Sequence, residues 1–152
     1  MGGSHGGSTT LATIAALAAD PPAVAERKRH GFAAAVALYP GCAFGNPRFN
    51  TKYVAVAPLL ILSGELDDWT PARPCLELAE AARAAGAPVT IKVYPGAHHA
   101  FDSASPIRYV ASRVNANAPG GRGATTAGNR EAWADSIREV TAFFARHLRR
   151  KD

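Results

Sequence analysis

The sequence has no segment that would place the chain in a membrane or direct it for export. None of its apolar runs approaches the roughly 18 residues that a transmembrane helix needs. No positively charged region precedes an apolar segment at the amino terminus, so no signal peptide is visible. We therefore expect no membrane partner.

Cysteine is scarce. Cys42 and Cys75 are its only two copies in 152 residues, too few for a disulfide framework and without the spacing of a metal motif. Either both are small buried apolar residues, or they form one bridge, which requires Cα atoms within about 7 Å of each other. The sequence leaves both interpretations open.

Charge is also limited, at 19% of residues with a net charge of +5. The basic residues are scattered apart from two short runs, Arg27-Lys28-Arg29 and a tail with Arg146, Arg149, Arg150 and Lys151. Short runs of this kind are typical of solvated helix faces, and no aromatic side chains alternate with them as in a nucleic-acid groove. We expect no nucleic-acid partner.

What the sequence does contain is enough apolar material for a packed core, at 47% of residues, and its length favours one domain over residues 1–152. Turn residues close three apolar runs: Phe32–Tyr39, Pro58–Ser63 and Val89–Tyr94. Runs of this length predict strands buried on both faces, which is the pattern of a parallel sheet.

Helical patterns alternate with these runs. They predict an alanine-rich helix over Leu11–Ala18, a helix with Thr70 as N-cap, Pro71 in its first position and Gly86 after its end, and a final helix with apolar spacing from Trp133 to Leu148. The alternation predicts an α/β fold with about three parallel strands flanked by helices. Residues 102–129 show no period and predict a long irregular loop.

The first of three chemical motifs is Gly2-Gly3-Ser4-His5-Gly6, which fits the G-x-S-x-G nucleophile elbow. Such an elbow is a sharp strand-to-helix turn that exposes the serine Oγ, and it uses flanking glycines because neighbouring chains come close. At the start of the following helix, the His5 backbone N–H can act as one oxyanion donor. A flexible glycine-rich leader is the alternative interpretation. A phosphate-binding loop over Gly2–Thr9 is disfavoured, because Ser8 stands where that loop needs lysine.

The other two motifs each follow a predicted strand directly. One contains Asp67 and Asp68, and the other contains His98 and His99. Turn-forming aspartates are one alternative interpretation, and a metal site is another, which the lack of an i, i+4 histidine pair disfavours. The order serine, aspartate, histidine, each after a strand, is the triad order of α/β-hydrolases and favours an enzyme.

Across these motifs the chain resembles the dienelactone hydrolase family of the α/β-hydrolase superfamily. The similarity extends from the elbow through Tyr39-Pro-Gly-Cys42 and the two strand-end motifs to the final helix. The resemblance implies Asp67 as the acid, because it precedes a proline by four positions, and His99 as the base, because a small residue and then Phe follow it. It also implies Ser4 as the nucleophile, an acyl-enzyme, a small-molecule ester or lactone as substrate, and no metal or organic cofactor.

The sequence departs from the family pattern in two ways. The founding members use a cysteine nucleophile, so Ser4 indicates serine-using relatives. The elbow also occupies the first residues, so the chain resembles a carboxyl-terminal portion that begins at the elbow. The amino-terminal strands, the strand that feeds the elbow and the loop with the second oxyanion donor are then expected to be missing. Localisation stays unknown: a genuine start at Met1 favours the cytoplasm, and an export signal would be lost with a missing amino-terminal part.

Three functions are consistent with these features. The first is a serine hydrolase of small carboxylic esters or lactones, slowed on the order of 100- to 1,000-fold by the missing oxyanion donor. The second is a non-catalytic remnant or interaction module of the same fold that self-associates through the open edge of the Phe32–Tyr39 strand. The third is a serine peptidase related to prolyl oligopeptidases. For an enzyme, Ser4, Asp67 and His99 should meet at one sheet edge, with their neighbours Asp68 and His98 directed elsewhere.

Overall fold

A computed structural model describes residues 1–17, 22, 25–26, 31–43 and 53–148. Its strands are Gly2–Gly3 (β1), Ala15–Leu17 (β2), Ala35–Leu38 (β3), Tyr53–Ala55 (β4), Leu59–Gly64 (β5), Val89–Tyr94 (β6), Arg108–Val114 (β7) and Arg122–Thr126 (β8). Its helices are His5–Thr13 (α1), Ala72–Ala84 (α2) and Arg130–His147 (α3), with a short 3-10 turn at Pro119–Gly121. Within the described residues, no helix has the length and apolar character needed to cross a membrane.

The centre of the fold is a four-stranded parallel sheet in the order β1-β3-β5-β6. Every residue of β3 and β5 is buried, as the continuous apolar runs predicted. One core cluster packs α1 and α2 against one face of the sheet, and a second cluster packs α3 against the other face. The predicted α/β class is confirmed, with β1 as a strand beyond the three expected.

Helix α2 begins one residue later than the sequence indicated. Pro71 is the N-cap and the first helical residue is Ala72, while the Thr70 hydroxyl is directed to other partners described below. The carboxyl end is as predicted, because Gly86 follows the helix with a φ of 79°. That left-handed conformation suits glycine, and the Gly86 and Ala87 N–H groups satisfy two of the last helical carbonyls, each at 2.9 Å.

The predicted helix over Leu11–Ala18 is wrong in its bounds. Helix α1 starts earlier and ends at Thr13, and the next residues form β2, which pairs antiparallel with β4. Alanine favours a helix only weakly, so pairing with a distant strand overrides that preference. Ala18 lies outside the described residues, as do the basic run 27–29 and the tail residues 149–151.

The irregular loop predicted over residues 102–129 is also wrong, because β7 and β8 form an antiparallel hairpin there. Gly120 and Gly121 turn the chain with φ values of 77° and 71°, which glycine adopts without strain. Most of β7 is exposed, and its register is irregular between Val110 and Val114. Those two features remove the apolar alternation from which a strand is predicted.

The strand that feeds Ser4, which the sequence analysis expected to be missing, is present as the two-residue β1. It pairs in parallel with β3 at Gly2↔Ala37 and Gly3↔Leu38. The open edge of β3 is therefore shorter than the predicted run Phe32–Tyr39. Within the described part of the chain, only Ala35 and Val36 of β3 have no neighbouring strand on the side of β1. A groove of about 300 Å³ lies beside them, lined in part by Met1 and Phe32.

Cys42 and Cys75 form a disulfide with a Cα–Cα distance of 5.0 Å. It joins the segment after β3 to α2 across a sequence separation of 33 residues. Closing a loop of this length in the unfolded chain is worth about 3–4 kcal/mol in the chain-entropy model. Of the two interpretations of these cysteines, the structure contains the bridge.

We expect the chain to self-associate weakly at the open edge of β3, because the side chains of Met1 and Phe32 beside it are 70% and 64% exposed. Phe32→Lys should lower the dimer fraction measured by sedimentation velocity, since a charge at a sheet edge opposes strand pairing. Leu76→Lys is the matched control, because Leu76 is an exposed apolar residue on α2. A chain that stays monomeric at every concentration, or an equal effect of the control, contradicts this prediction.

Candidate active site

Ser4 lies on a tight turn between β1 and α1, where it is the N-cap residue of the helix. Its φ of 53° is a left-handed value that residues other than glycine rarely adopt. Its N–H donates to the Leu38 carbonyl at 2.9 Å, so the end of β3 supports the turn. The serine is thereby held at the carboxyl edge of the parallel sheet.

Glycine is required around Ser4 at Gly2, as the motif predicts, and at Gly7 in place of Gly6. A Cβ on Gly2 would lie 2.4 Å from the Gly6 carbonyl oxygen, and a Cβ on Gly7 would lie 2.9 Å from the Leu38 oxygen. A Cβ on Gly6, the second glycine of the motif, would meet nothing within 4 Å. The close approaches therefore restrict positions 2 and 7.

Asp67 follows β5 and is 3% exposed. Its Oδ1 accepts from the N–H groups of Trp69 and Thr70 at 3.0 and 2.8 Å. These two donors fix the plane of the carboxylate, and its Oδ2 faces His99 at 2.9 Å. The turn after β5 thus orients the acid through its own backbone N–H groups.

His99 follows β6 and is also 3% exposed. Its Nδ1 lies 2.9 Å from Asp67 Oδ2, and its Nε2 lies 2.8 Å from Ser4 Oγ. Because the carboxylate can only accept, Nδ1 carries the proton and Nε2 is free to accept from the serine hydroxyl. The rings of Tyr39 and Trp69 pack on the imidazole with centroid distances of 4.7 and 4.9 Å, which limits its rotation.

Asp68 and His98 are directed elsewhere. Asp68 accepts from the N–H and the hydroxyl of Thr125 at 2.8 and 2.7 Å. The Nδ1 of His98 is buried and has no hydrogen-bond partner among the described residues. The structure therefore brings together Ser4, Asp67 and His99 and leaves their two neighbours outside that chain of hydrogen bonds.

Sequence reasoning missed the role of Thr70, which it interpreted as a helix cap. The Thr70 Oγ1 lies 2.9 Å from Asp67 Oδ2, 3.0 Å from His99 Nδ1 and 2.9 Å from the Tyr39 carbonyl oxygen. A hydroxyl has one proton, so Oγ1 donates either to Asp67 Oδ2 or to the Tyr39 carbonyl, and it can accept from the His99 Nδ1–H. The atom therefore lies at the meeting point of the acid, the base and the end of β3. The only sign of this role in the sequence is that Thr70 lies three residues after Asp67, and a threonine at this position is equally typical of a helix N-cap.

Tyr39 is a second missed contributor. Its hydroxyl donates to Asp102 Oδ1 at 2.7 Å, and a Cβ on Gly3 would lie 2.8 Å from the same hydroxyl oxygen. Burial, and then the hydrogen bond to Asp102, raise the pKa of Tyr39 well above its ordinary value, so the group stays a protonated donor. The ring is therefore held in place against both Gly3 of the elbow and the imidazole of His99.

His5 is the first residue of α1, where an N–H has no acceptor within the helix. It directly follows Ser4, so its N–H is the candidate oxyanion donor. The neighbouring amides at the end of β3 are engaged, because Tyr39 N–H donates to the Leu62 carbonyl at 2.6 Å and Gly41 N–H donates to Ser8 Oγ at 2.9 Å.

Comparison with known proteins gives a family match and several fold matches. The model of the dienelactone hydrolase family matches residues 21–148, a range that includes Asp67 and His99 and begins after Ser4. No curated protein matches the chain. A putative dienelactone hydrolase from Klebsiella pneumoniae subsp. pneumoniae MGH 78578 is 27% identical with a TM-score of 0.48, covering 74% of this chain and 41% of that one.

Two esterase structures match more of the chain. Thermogutta terrifontis esterase 2 phosphorylated by paraoxon is 21% identical, with a TM-score of 0.58 and coverage of 95% of this chain and 52% of that one. The propionate-bound form of the Thermogutta terrifontis esterase Est2 is 18% identical, with a TM-score of 0.56 and coverage of 95% and 54%. At these identities the matches show a shared α/β fold, and the chain spans about half the length of the esterases. Because the family model covers most of the chain, the chain belongs to the dienelactone hydrolase family.

Proposed function

We propose that the chain is a serine hydrolase of small carboxylic esters or lactones, with Ser4 as nucleophile, His99 as base and Asp67 as acid. The observation that carries the proposal is the unbroken run of hydrogen bonds from Ser4 Oγ through the imidazole to Asp67 Oδ2, at 2.8 and 2.9 Å. Both distances lie within the range for proton transfer between side chains. Family membership supports hydrolysis as the reaction, and the two distances support the roles of Ser4 as nucleophile, His99 as base and Asp67 as acid.

In the first half-reaction, His99 Nε2 accepts the Ser4 proton while Oγ attacks the carbonyl carbon. The tetrahedral oxyanion forms beside the His5 N–H, at the positive end of α1. Collapse breaks the bond between the carbonyl carbon and the leaving oxygen, which takes the proton from the imidazolium. Asp67, held by two backbone N–H groups, stabilises that imidazolium.

In the second half-reaction, His99 accepts a proton from water, and the hydroxide attacks the acyl carbon of the ester on Ser4. Collapse returns the proton to Ser4 Oγ and releases a carboxylic acid. The cycle consumes one water per ester and needs no cofactor. The propionate bound to the Thermogutta esterase Est2 is a carboxylate of the size such a step would release, which supports a short acyl group here.

A non-catalytic binding module is the alternative, and two observations favour it. The chain spans about half the length of the esterases that it matches. In the described part around Ser4, His5 N–H is the one candidate oxyanion donor that we identify, and loss of a donor lowers turnover on the order of 100- to 1,000-fold. In this alternative, the open edge beside β1 binds a partner and Ser4 is unreactive.

A fluorophosphonate probe separates the two functions, because only an activated serine reacts with it readily. We expect covalent labelling of the folded chain at Ser4, located by peptide mass spectrometry, and no labelling of Ser4→Ala. Thr9→Ala is the matched control, since it removes an exposed hydroxyl from α1, the helix that Ser4 precedes. A chain that is folded by circular dichroism but unlabelled contradicts the hydrolase proposal.

Ser4→Ala and His99→Ala should each lower hydrolysis of p-nitrophenyl acetate nearly to background, and the double variant should be little worse than either. The reason is that members of a triad act as a unit, so their losses do not add. Asp67→Asn should cost roughly one to two orders of magnitude less than Ser4→Ala, as when only the acid of a triad is replaced. Initial rates of the four variants test this prediction, and additive losses would sink it.

Thr70→Val should lower kcat roughly 10-fold, because it removes the hydroxyl that links Asp67 and His99 while keeping the side-chain volume. Thr70→Ser retains the hydroxyl and should stay within about threefold of the wild type. Steady-state kinetics of the pair provides the measurement. A larger loss in Thr70→Ser than in Thr70→Val would mean that the methyl group, not the hydroxyl, matters at this position.

A further inference from the structure

The loop that carries the acid is attached to the β7–β8 hairpin. We define the acid loop as residues 65–71, between β5 and α2. Both carboxylate oxygens of Asp68 accept hydrogen bonds from one residue of β8, the N–H and the hydroxyl of Thr125, at 2.8 and 2.7 Å. Because Asp68 adjoins Asp67, this contact restrains the backbone that positions the acid.

The loop that carries the base is attached to the same hairpin. We define the base loop as residues 95–102, which follow β6. The His99 carbonyl accepts from Ala127 N–H at 3.1 Å, and His99 pairs with Thr126 in an isolated parallel bridge. The attachment point of the base is therefore two residues along the chain from Thr125, the attachment point of the acid loop.

Two further contacts stiffen the attachment of the acid loop. Asn115 is 2% exposed, and its Nδ2 donates to the carbonyls of Asp68 and Gly123 at 2.9 and 2.7 Å. The Trp69 Nε1 donates to the Val114 carbonyl at 3.0 Å. A buried amide with two satisfied protons is costly to displace, so the hairpin and the acid loop move together.

We propose that β8 sets the position of the acid relative to the base, and that Asp68 is a positioning residue that acts through this strand. The inference rests on the proposed function. Thr125 and Thr126 belong to β8 and Ala127 directly follows it, and a strand rises about 3.3 Å per residue, so this short stretch keeps its two attachment points at a nearly constant spacing. Misplacement of a reacting group by about 1 Å can lower a rate on the order of 100-fold, which makes such a support consequential.

Substitutions at Asp68 distinguish the effect of its hydrogen bonds on the position of the acid loop from the effect of its negative charge. Asparagine can keep both contacts, because its Oδ1 accepts from the Thr125 N–H while its Nδ2 donates to the Thr125 hydroxyl. Alanine removes both contacts. Asparagine also removes the negative charge, so the two variants differ in geometry and share the same net charge.

We expect Asp68→Ala to lower kcat for p-nitrophenyl acetate roughly fivefold to tenfold with KM nearly unchanged, and Asp68→Asn to stay within about twofold of the wild type. Asp68 is exposed, so both variants should fold, and their melting temperatures check this. Glu77→Ala is the matched control, because it removes an exposed carboxylate, paired with Arg73 on α2, that takes no part in the hairpin contacts. Thr125→Val removes only the hydroxyl that Asp68 accepts from, and the NMR signal of the His99 Nδ1 proton in this variant should shift from its wild-type position, which keeps the test decisive if Asp68→Ala loses its fold.

Equal losses of kcat in Asp68→Ala and Asp68→Asn would assign Asp68 an electrostatic role and overturn the proposal. An unchanged kcat in Asp68→Ala would also overturn it. The Nδ1 proton of His99, observed by NMR, tests the position without turnover. It should shift and exchange faster with water in Asp68→Ala and keep its wild-type signal in Asp68→Asn. If the wild type neither hydrolyses esters nor labels at Ser4 yet shows this NMR pattern, the hydrolase proposal fails and the positioning role of Asp68 stands.

Discussion

The acid–base pair depends on the close approach of two loops that leave neighbouring parallel strands. At the end of β5, a Cβ on Gly64 would lie 2.3 Å from the Ala97 carbonyl oxygen. The same carbonyl accepts from the Leu66 N–H at 2.9 Å, so the two loops are bonded where they are closest. A side chain at position 64 would push the loops apart and carry Asp67 away from His99. The hydrogen bond between the acid and the base therefore rests on one glycine that neither contributes a side chain nor faces the serine.

The sequence alone was sufficient to place the site residues that come directly after the ends of strands. The runs that became β5 and β6 are apolar and closed by turn residues, so their ends could be placed. The carboxyl ends of parallel strands share one edge, which predicted that Asp67 and His99 would come together. The pattern of residues did not separate Asp67 from Asp68 or His99 from His98. That choice came from resemblance to the family, because the direction of a side chain in a turn is not encoded in periodicity.

The features that the sequence did not predict are decided by distant contacts or by strands that lack apolar alternation. Ala15–Leu17 forms a strand because β4 lies beside it, although its alanines favour a helix. The hairpin lacks apolar alternation, since most of β7 is exposed and its register is irregular. Thr70 could have capped α2, and its hydroxyl bonds elsewhere because Tyr39 and His99 lie within 3.0 Å. The pairing of β2 and the contacts of Thr70 with Tyr39 and His99 join residues far apart in the sequence. The hairpin is local, but it lacks the apolar pattern that would have indicated it.

The adjacent aspartates give one short loop two attachments that point in different directions. Asp67 is 3% exposed and faces His99, whereas Asp68 is exposed and faces Thr125. Because His99 is bonded in turn to Ala127, two residues after Thr125, the contacts form a closed ring through both loops and one strand. In an open chain of contacts, the looseness of each link adds to the uncertainty in the final distance. In a closed ring, each link limits the others, so the distance between Asp67 and His99 is constrained from both sides and does not depend on the stiffness of either loop alone.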